Sequence, residues 1–309
     1  MKARRIVSLL PSATEICFAL ELDDRVVGVS HECDFPLRAR GRPVLTAPKI
    51  DPSRSSSEID RQVRSLVADG LSVYRIDEER LAELRPDLVI TQDACEVCAV
   101  SLEEVREATR RVVGGDVEVL SLSPLSLDDV LNDILRVGAA TGTEGRAAHV
   151  VRSSRRRLSA LRRETRTLER RTVVALEWLD PPMVSGHWTP ELIRIGGGEP
   201  ILGHDRAATG PVPWETIVDA GPEVVLVFPC GFKTAQSLAE MPAFAALPGF
   251  FELPAVESSR VVVLDGNAYF NRPGPRLVES AELAAVAVHP EAFDGRFELD
   301  PESLVRWQS

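Results

Sequence analysis

The chain has 309 residues, a formal net charge of −11, 44% hydrophobic and 27% charged residues. Its length exceeds the roughly 100–200 residues of one domain, so two lobes are expected. The composition excludes a disordered chain, and the acidic balance excludes a general nucleic-acid surface, which needs a basic face. Five cysteines, an odd number without a disulfide-like framework, agree with a reducing compartment.

The amino-terminal "MKARRIVSLLPSATEICFAL" begins basic and turns apolar, as a secretory leader does. Pro11, Ser12, Thr14 and Glu15 interrupt the apolar stretch and no small-residue cleavage site follows. Arg5 to Leu10 is therefore expected to be the first buried strand. The chain as written is expected in the cytoplasm, or in the periplasm if the true start lies upstream. No segment reaches the roughly 18 uninterrupted apolar residues of a membrane helix.

"SATEICFALEL" has helical apolar spacing, with Ser12 as N-cap and Glu15 closing a capping box. "VVGVS", "PDLVIT" and "VEVLSL" read as further strands. Residues 51 to 75 read as a Ser-rich loop running into a helix, and Leu102 to Val113 and Leu127 to Ala140 read as helices. Alternating helices and near-continuously apolar strands predict a parallel sheet covered on both faces. From Glu144 to Arg171 there is no strand signal. A loose helical stripe (Ala147, Val150, Val151, Leu158, Leu161, Leu168) is surrounded by arginines. Without interleaved aromatics, this reads as a solvated bridging helix whose arginines pair with neighbouring acids.

Alternation resumes with strands "TVVALEW", "EVVLVFP" and "RVVVLDG". Helices are expected at Pro190 to Ile195, Trp214 to Ala220, around Ser237 to Ala246, and through "RLVESAELAAVAV". The predicted organisation is an amino-terminal α/β lobe over 1–141, a bridging helix over 142–171, a carboxyl-terminal α/β lobe over 172–290 and a surface tail over 291–309.

Ligands of parallel α/β sheets bind outside the carboxyl ends of the strands. Those ends carry Ser12, then His31, Glu32 and Cys33, then Gln92, Asp93, Cys95 and Cys98 in the first lobe. In the second they carry Glu177 and Trp178, His187 and Trp188 in "SGHW", Cys230, and Asn267, Tyr269 and Phe270. Such convergence of cysteine, histidine and tryptophan predicts a ligand cleft between the lobes.

Three chemistries are open to it. Trp178, Trp188, Tyr269 and Phe270 are suited to walling a macrocycle, with Ser12, His31, Glu32, Asp93 and Asn267 as polar contacts and His31 or His187 as an axial nitrogen. A metal ion is an alternative, held by Cys33, Cys95, Cys98 and Cys230 with His31 or His187, although only Cys95 and Cys98 have the spacing of a zinc pair. A nucleophilic cysteine with His31 or His187 and Glu177 is a third. No phosphate loop, "GxSxG" or dinucleotide fingerprint accompanies it, since "GGG" at 196 to 198 follows a helix.

"RIVSLLPSATEICFAL", "VVGVSHECDFP", "LAELRPDLVITQD" and "NAYFNRPGPRLVESAELAA" together resemble the cobalamin-binding proteins of ABC importers. These belong to a helical-backbone class whose other members bind siderophores, haem and metal ions. The resemblance reaches to about residue 290. It implies two Rossmann-like lobes joined by a rigid helix, and a non-enzymatic monomer holding a corrinoid or another metal-containing ligand. It also implies docking onto an ABC permease through one glutamate per lobe, Glu79 in "DEERLAELRPDLV" and Glu215 in "VPWETIVDAGPEVVLV". Two ligand positions depart from that family's pattern: Glu32 stands where it has a tyrosine, and Gln92 where it has an aromatic residue. "HEC", "QDACEVC", "EWLDPP", "GHW" and "PCG" together mark a distinct branch.

Overall fold

The computed structural model describes residues 2–69, 71–92, 102–114 and 117–308. The chain divides into two units, one of Met1–Arg54, Glu58–Pro124 and Asp128–Ser153, the other of Ser55–Ser57, Leu125–Leu127 and Ser154–Ser309.

In chain order the first half contains β1 (Ile6–Ser8), α1 (Pro11–Ala19), β2 (Val26–Val29), β3 (Thr46–Pro48), α2 (Ser56–Ala68) and β4 (Tyr74–Ile76). It continues with α3 (Glu78–Leu84), β5 (Leu88–Thr91), α4 (Leu102–Val112), β6 (Glu118–Ser121), α5 (Leu127–Thr141) and α6 (Glu144–Thr165). The strands β2-β1-β5-β6 form a parallel sheet in that order. Every residue of β1 and β5 is buried, because alternate side chains enter different cores. Ile6, Leu88 and Ile90 pack with Ile16, Ile134 and Val151 on one face. Val7 and Val89 pack with Leu45, Leu81 and Val105 on the other. Each such side chain contributes about 1.5–3 kcal/mol by leaving water. An antiparallel pair, β3 and β4, accompanies the sheet and was not foreseen.

The expected capping box at Ser12 does not form. The helix begins at Pro11 after an extended Leu10 without a side-chain cap, and Ser12 lies inside the first turn. Proline favours the first helical position because its φ is preset and its missing N–H would have been unpaired there.

Helix α6 starts among first-unit residues and continues into the second. Its arginines pair with acids, as the polar face predicts. Arg157 reaches Glu279 at 2.9 Å and both oxygens of Glu282 at 2.9 and 2.8 Å. Arg146 pairs with Glu21 and Arg162 with Glu191. No described helix is long and apolar enough to cross a membrane.

The second half contains β7 (Arg171–Leu179), β8 (Pro182–Val184), α7 (Thr189–Ile195), β9 (Gly198–Pro200), β10 (Gly210–Pro211), α8 (Trp214–Ala220) and β11 (Val224–Val227). Then come α9 (Thr234–Ala245), α10 (Pro254–Glu257), β12 (Val261–Leu264), α11 (Leu277–Val288), α12 (Pro290–Phe293) and β13 (Leu304–Arg306). The sheet order is β10-β8-β7-β11-β12-β13, with β9 also on β7. Strands β7, β9, β11 and β12 run parallel; β8, β10 and β13 are antiparallel additions.

Residues 291–309, expected as a surface tail, are part of this fold. Strand β13 pairs with β12, Trp307 N–H donates to Val261 O at 2.9 Å, and the indole meets Phe250 edge-on. The segment covers the outer edge of β12, whose backbone groups would otherwise lack partners.

Candidate functional site

In the first unit the residues after β1 and β2 are tied together by hydroxyl groups. Thr14 Oγ1 lies 2.8 Å from Ser8 Oγ and 3.0 Å from Cys33 Sγ, with Ser30 Oγ 3.4 Å from the same sulfur. Cys33 is only 4% exposed, and Ser12 is also buried. Burial, with Cys33 adding to it, pushes the nearby Cys17 thiol up to about 12, which keeps it protonated. This cluster is a structural floor at the strand ends.

Above it, His31 is held by β3. Thr46 Oγ1 accepts the His31 backbone N–H at 3.1 Å and lies 2.7 Å from ring Nδ1. The threonine hydroxyl has one proton, and among its contacts Nδ1 is the acceptor for it. With the hydroxyl donating to Nδ1, the neutral ring carries its own proton on Nε2; Nε2 lies 3.9 Å from Glu32 Oε1. The Tyr74 ring on β4 stands 5.3 Å from the imidazole, and its hydroxyl is 3.5 Å from the Glu32 carboxylate. Burial lowers the His31 pKa and favours the neutral ring. Thr46 and Tyr74 were not singled out from sequence, although Tyr74 is one of only two tyrosines in the chain.

In the second unit Glu177 at the end of β7 is hydrogen-bonded to Thr209 Oγ1, and its carbonyl accepts from Cys230 N–H at 3.0 Å. Trp178 donates its indole N–H to Asp180 O at 3.1 Å and packs against Phe232 at 5.3 Å. Trp188 donates its indole N–H to Phe270 O at 2.6 Å. Both tryptophans are half-buried, so each turns a hydrogen-bond-satisfied ring toward its surroundings. His187 adopts a left-handed φ of 51°. Its N–H donates to Ala207 O at 2.8 Å, its carbonyl accepts from Arg206 N–H at 3.0 Å, and its ring lies 5.5 Å from that of Trp188. Cys230 is exposed. Asn267 Oδ1 accepts from the buried Arg272 at 2.8 Å.

Phe270 and Tyr269 do not stand as open walls. Phe270 is 0% exposed and stacks on Phe228 at 4.5 Å, with its own N–H bonded to Ser280 Oγ. It acts through its backbone, by fixing Trp188. Tyr269 is buried with the Arg276 guanidinium over its ring. An aromatic residue after a strand reads alike in sequence whether it faces a ligand or the core; only packing separates the two.

The structure thus places His31 and Glu32 after β2 in the first unit, and in the second Glu177 and Trp178 within the last residues of β7, His187 and Trp188 after β8, and Cys230 after β11. Gln92 is half-buried just after β5. Asp93, Cys95 and Cys98 lie outside the described residues. Among the described residues no group of three or more His, Cys, Asp or Glu side chains is arranged to hold a metal ion. Glu79 and Glu215 are both exposed and each is the second residue of its helix, α3 and α8.

Comparison with known proteins gives these positions a context. The chain is 24% identical over 297 residues to an uncharacterized ABC transporter substrate-binding lipoprotein of Bacillus subtilis, covering 94% of this chain and 81% of that one. It is 25% identical over 279 residues to a vitamin B12-binding protein of Vibrio parahaemolyticus, covering 89% and 86%. Its fold matches a periplasmic heme binding protein from Pseudomonas aeruginosa with a TM-score of 0.72 and 18% identity, covering 99% of each chain. Residues 6–268 match the periplasmic binding protein family. With most of its length inside that match, the chain belongs to the periplasmic binding protein family.

Proposed function

We propose that the protein is the substrate-binding component of an ABC importer, acting in the periplasm or outside the cytoplasmic membrane. Its ligand is a cobalamin-like or other metal-containing macrocycle. The observation that carries this reading is the pair of half-buried tryptophans whose indole N–H groups are both consumed by backbone carbonyls. A satisfied indole offers an apolar ring with no donor left to desolvate, which suits a flat macrocycle. The names of the B12-binding and heme-binding relatives support the same ligand class.

Candidate polar groups are His31 and Glu32 in the first unit and Asn267 in the second, with Ser12, Gln92, Asp93, Glu177 and Cys230 nearby in sequence position. The tyrosine that the cobalamin-binding pattern places at residue 32 has a counterpart here in Tyr74, which brings a phenol to Glu32 from a different strand. The protein binds and releases its ligand without chemistry on it. Glu79 and Glu215 dock onto basic residues of the permease, which their exposed positions allow.

Titration of the purified protein with cyanocobalamin, aquocobinamide and ferric haem tests this, read by tryptophan quenching and thermal melting. A ligand at about 100 times its Kd raises stability by about 2.7 kcal/mol. A chain that shows neither quenching nor a raised melting temperature with any of the three does not have this function. Charge reversal of Glu79 and Glu215 together should abolish stimulation of a reconstituted permease while leaving ligand affinity unchanged.

A further inference from the structure

The parallel sheet of the first unit ends differently on its two sides. The outer edge of β2 is covered by the segment around Val44. There Val29 N–H donates to Pro43 O at 2.9 Å, and Leu45 N–H donates to Val29 O at 2.9 Å. At the opposite side of the same sheet, β6 pairs only with β5 among the described residues. Glu118 and Leu122 donate their N–H groups to Asp87 O at 3.1 Å and to Thr91 O at 2.8 Å. Main-chain groups of alternate residues point to opposite sides of a strand, so Val119 and Ser121 turn theirs away from β5. Among the described residues no main-chain group meets them there. An edge in this state is a template for one more strand.

What lies beside the edge narrows the choice of that strand. Val117 and Val119 project from one face toward α4. With Glu103, Arg106, Thr109 and Arg110 of that helix they line a groove of about 640 Å³. Their inner sides pack on the core that holds Val105 and Ala108. A groove between a helix and an open strand edge is the layout in which an extended peptide adds to a sheet.

The groove carries an unmatched charge. Arg106 and Arg110 stand four residues apart on one face of α4, and both are exposed. Their neighbour Arg111 is engaged by Glu78, with Nε 3.0 Å from the carboxylate. Arg106 and Arg110 form no ion pair with any described acid, Glu103 included; Arg110 Nε donates only to Arg106 O, at 3.3 Å. Two guanidinium groups beside an open strand edge match carboxylates on the incoming segment. The chain's net charge of −11 gives such a segment no long-range attraction. Selectivity therefore rests on this pair at contact, within the roughly 8 Å over which salt leaves charges unscreened.

We propose that the β6 edge and the α4 groove bind an extended acidic segment of a partner protein as an added strand. Its main chain pairs with Val119 and Ser121, and carboxylates on its α4-facing side reach Arg106 and Arg110. The surface lies within the first unit and uses none of the residues assigned above to ligand or permease. A second copy of this chain fits it poorly, because an antiparallel two-fold contact through β6 brings two identical arginine pairs to one seam.

The test uses a dye-labelled synthetic peptide of alternating glutamate and valine, which in extended form has one acidic face. Fluorescence anisotropy should show it binding the wild-type protein, and amide hydrogen exchange at Val119 and Ser121 should slow when it binds. The double variant R106E/R110E should bind it at least roughly tenfold more weakly. Both positions are exposed, so its melting temperature should stay near that of the wild type. A peptide with lysine in place of glutamate, and an acidic peptide N-methylated at alternate amides, should both fail to bind. The exchange and peptide comparisons need only the wild type, and so hold even if the variant fails to fold.

No binding of the acidic peptide at about 1 mM overturns the assignment. So does equal affinity for the lysine or N-methylated peptide, unslowed exchange at Val119 and Ser121, or undiminished binding by a folded R106E/R110E. Slowed exchange at the two amides as the protein alone is concentrated, with a doubled mass in light scattering, makes the occupant a second copy and overturns the partner segment.

Discussion

The two units build their strand ends from related parts but hold their histidines by different atoms. In each, a seven-residue helix runs through a left-handed cap into a fully buried four-residue central strand. Helix α3 passes through Arg85 at φ 43° into β5, and α8 passes through Gly221 at φ 54° into β11. Each unit also has an accessory antiparallel pair: β3 with β4 in the first, and β8 with β10 in the second. In the first unit the accessory pair grips His31 by a side chain, because Thr46 bonds the ring itself. In the second, the segment just before β10 holds His187, which follows β8, by main-chain bonds alone among the described residues. The same architectural device thus produces one imidazole with a side-chain partner and one without such a partner among the described residues.

The sharpest way to break the second arrangement is to remove its support. Phe270→Ala deletes a fully buried ring stacked on Phe228 and should cost about 3–5 kcal/mol in denaturant unfolding. The Trp188 anchor should loosen with it, red-shifting the tryptophan emission. Thr46→Val converts the first arrangement toward the second by taking the hydroxyl off the His31 ring. It should cost about 1–2 kcal/mol, and the ring's nitrogen shifts in NMR should show the loss of a fixed Nε2–H tautomer. Unchanged shifts would mean that Thr46 does not set the tautomer.

Arg85→Gly makes the cap of α3 match that of α8. Relief of the left-handed strain should raise stability by about 0.5–1 kcal/mol, since glycine returns part of the gain as chain entropy. The smallest effect concerns acid. Partial burial pushes the Glu291 carboxyl up, but hydrogen bonding and charge from Arg171, with help from its own backbone and His289, pull it down to about 2. A carboxylate depressed in the folded state contributes stability that is present above its ordinary value of 4.5 and is lost as pH falls through about 2. Melting temperatures of the wild type should therefore fall across that window more steeply than those of Glu291→Gln. The difference should be modest, because this side chain is 56% exposed.

Much of the parallel framework was legible without coordinates. "PDLVIT" and "EVVLVFP" are apolar without alternation, which is what a strand buried on both faces requires. The arginines of α6 could be assigned to a solvated face because their acids lie within reach on neighbouring elements. The antiparallel strands were not legible. Strands β8, β10 and β13 are two or three residues long and contain proline, glycine or charged residues, so they exist by pairing rather than by propensity. The expected cap at Ser12 failed for a local reason, the proline one position earlier. The expected wall at Phe270 failed for a tertiary one, the ring of Phe228 beneath it.

By itself, then, the amino-acid order determined the alternation of strands and helices, the family, and the loops on which the chemistry-bearing residues fall. These depend on periodicity and local turn chemistry, which neighbouring residues carry. Tertiary structure decided which of those residues are core and which keep a half-buried or exposed face. That choice turns on a hydroxyl 2.7 Å from one imidazole and on the lack of any such partner for another among the described residues. Hydrogen bonds between distant segments are made or missed only when the chain is folded.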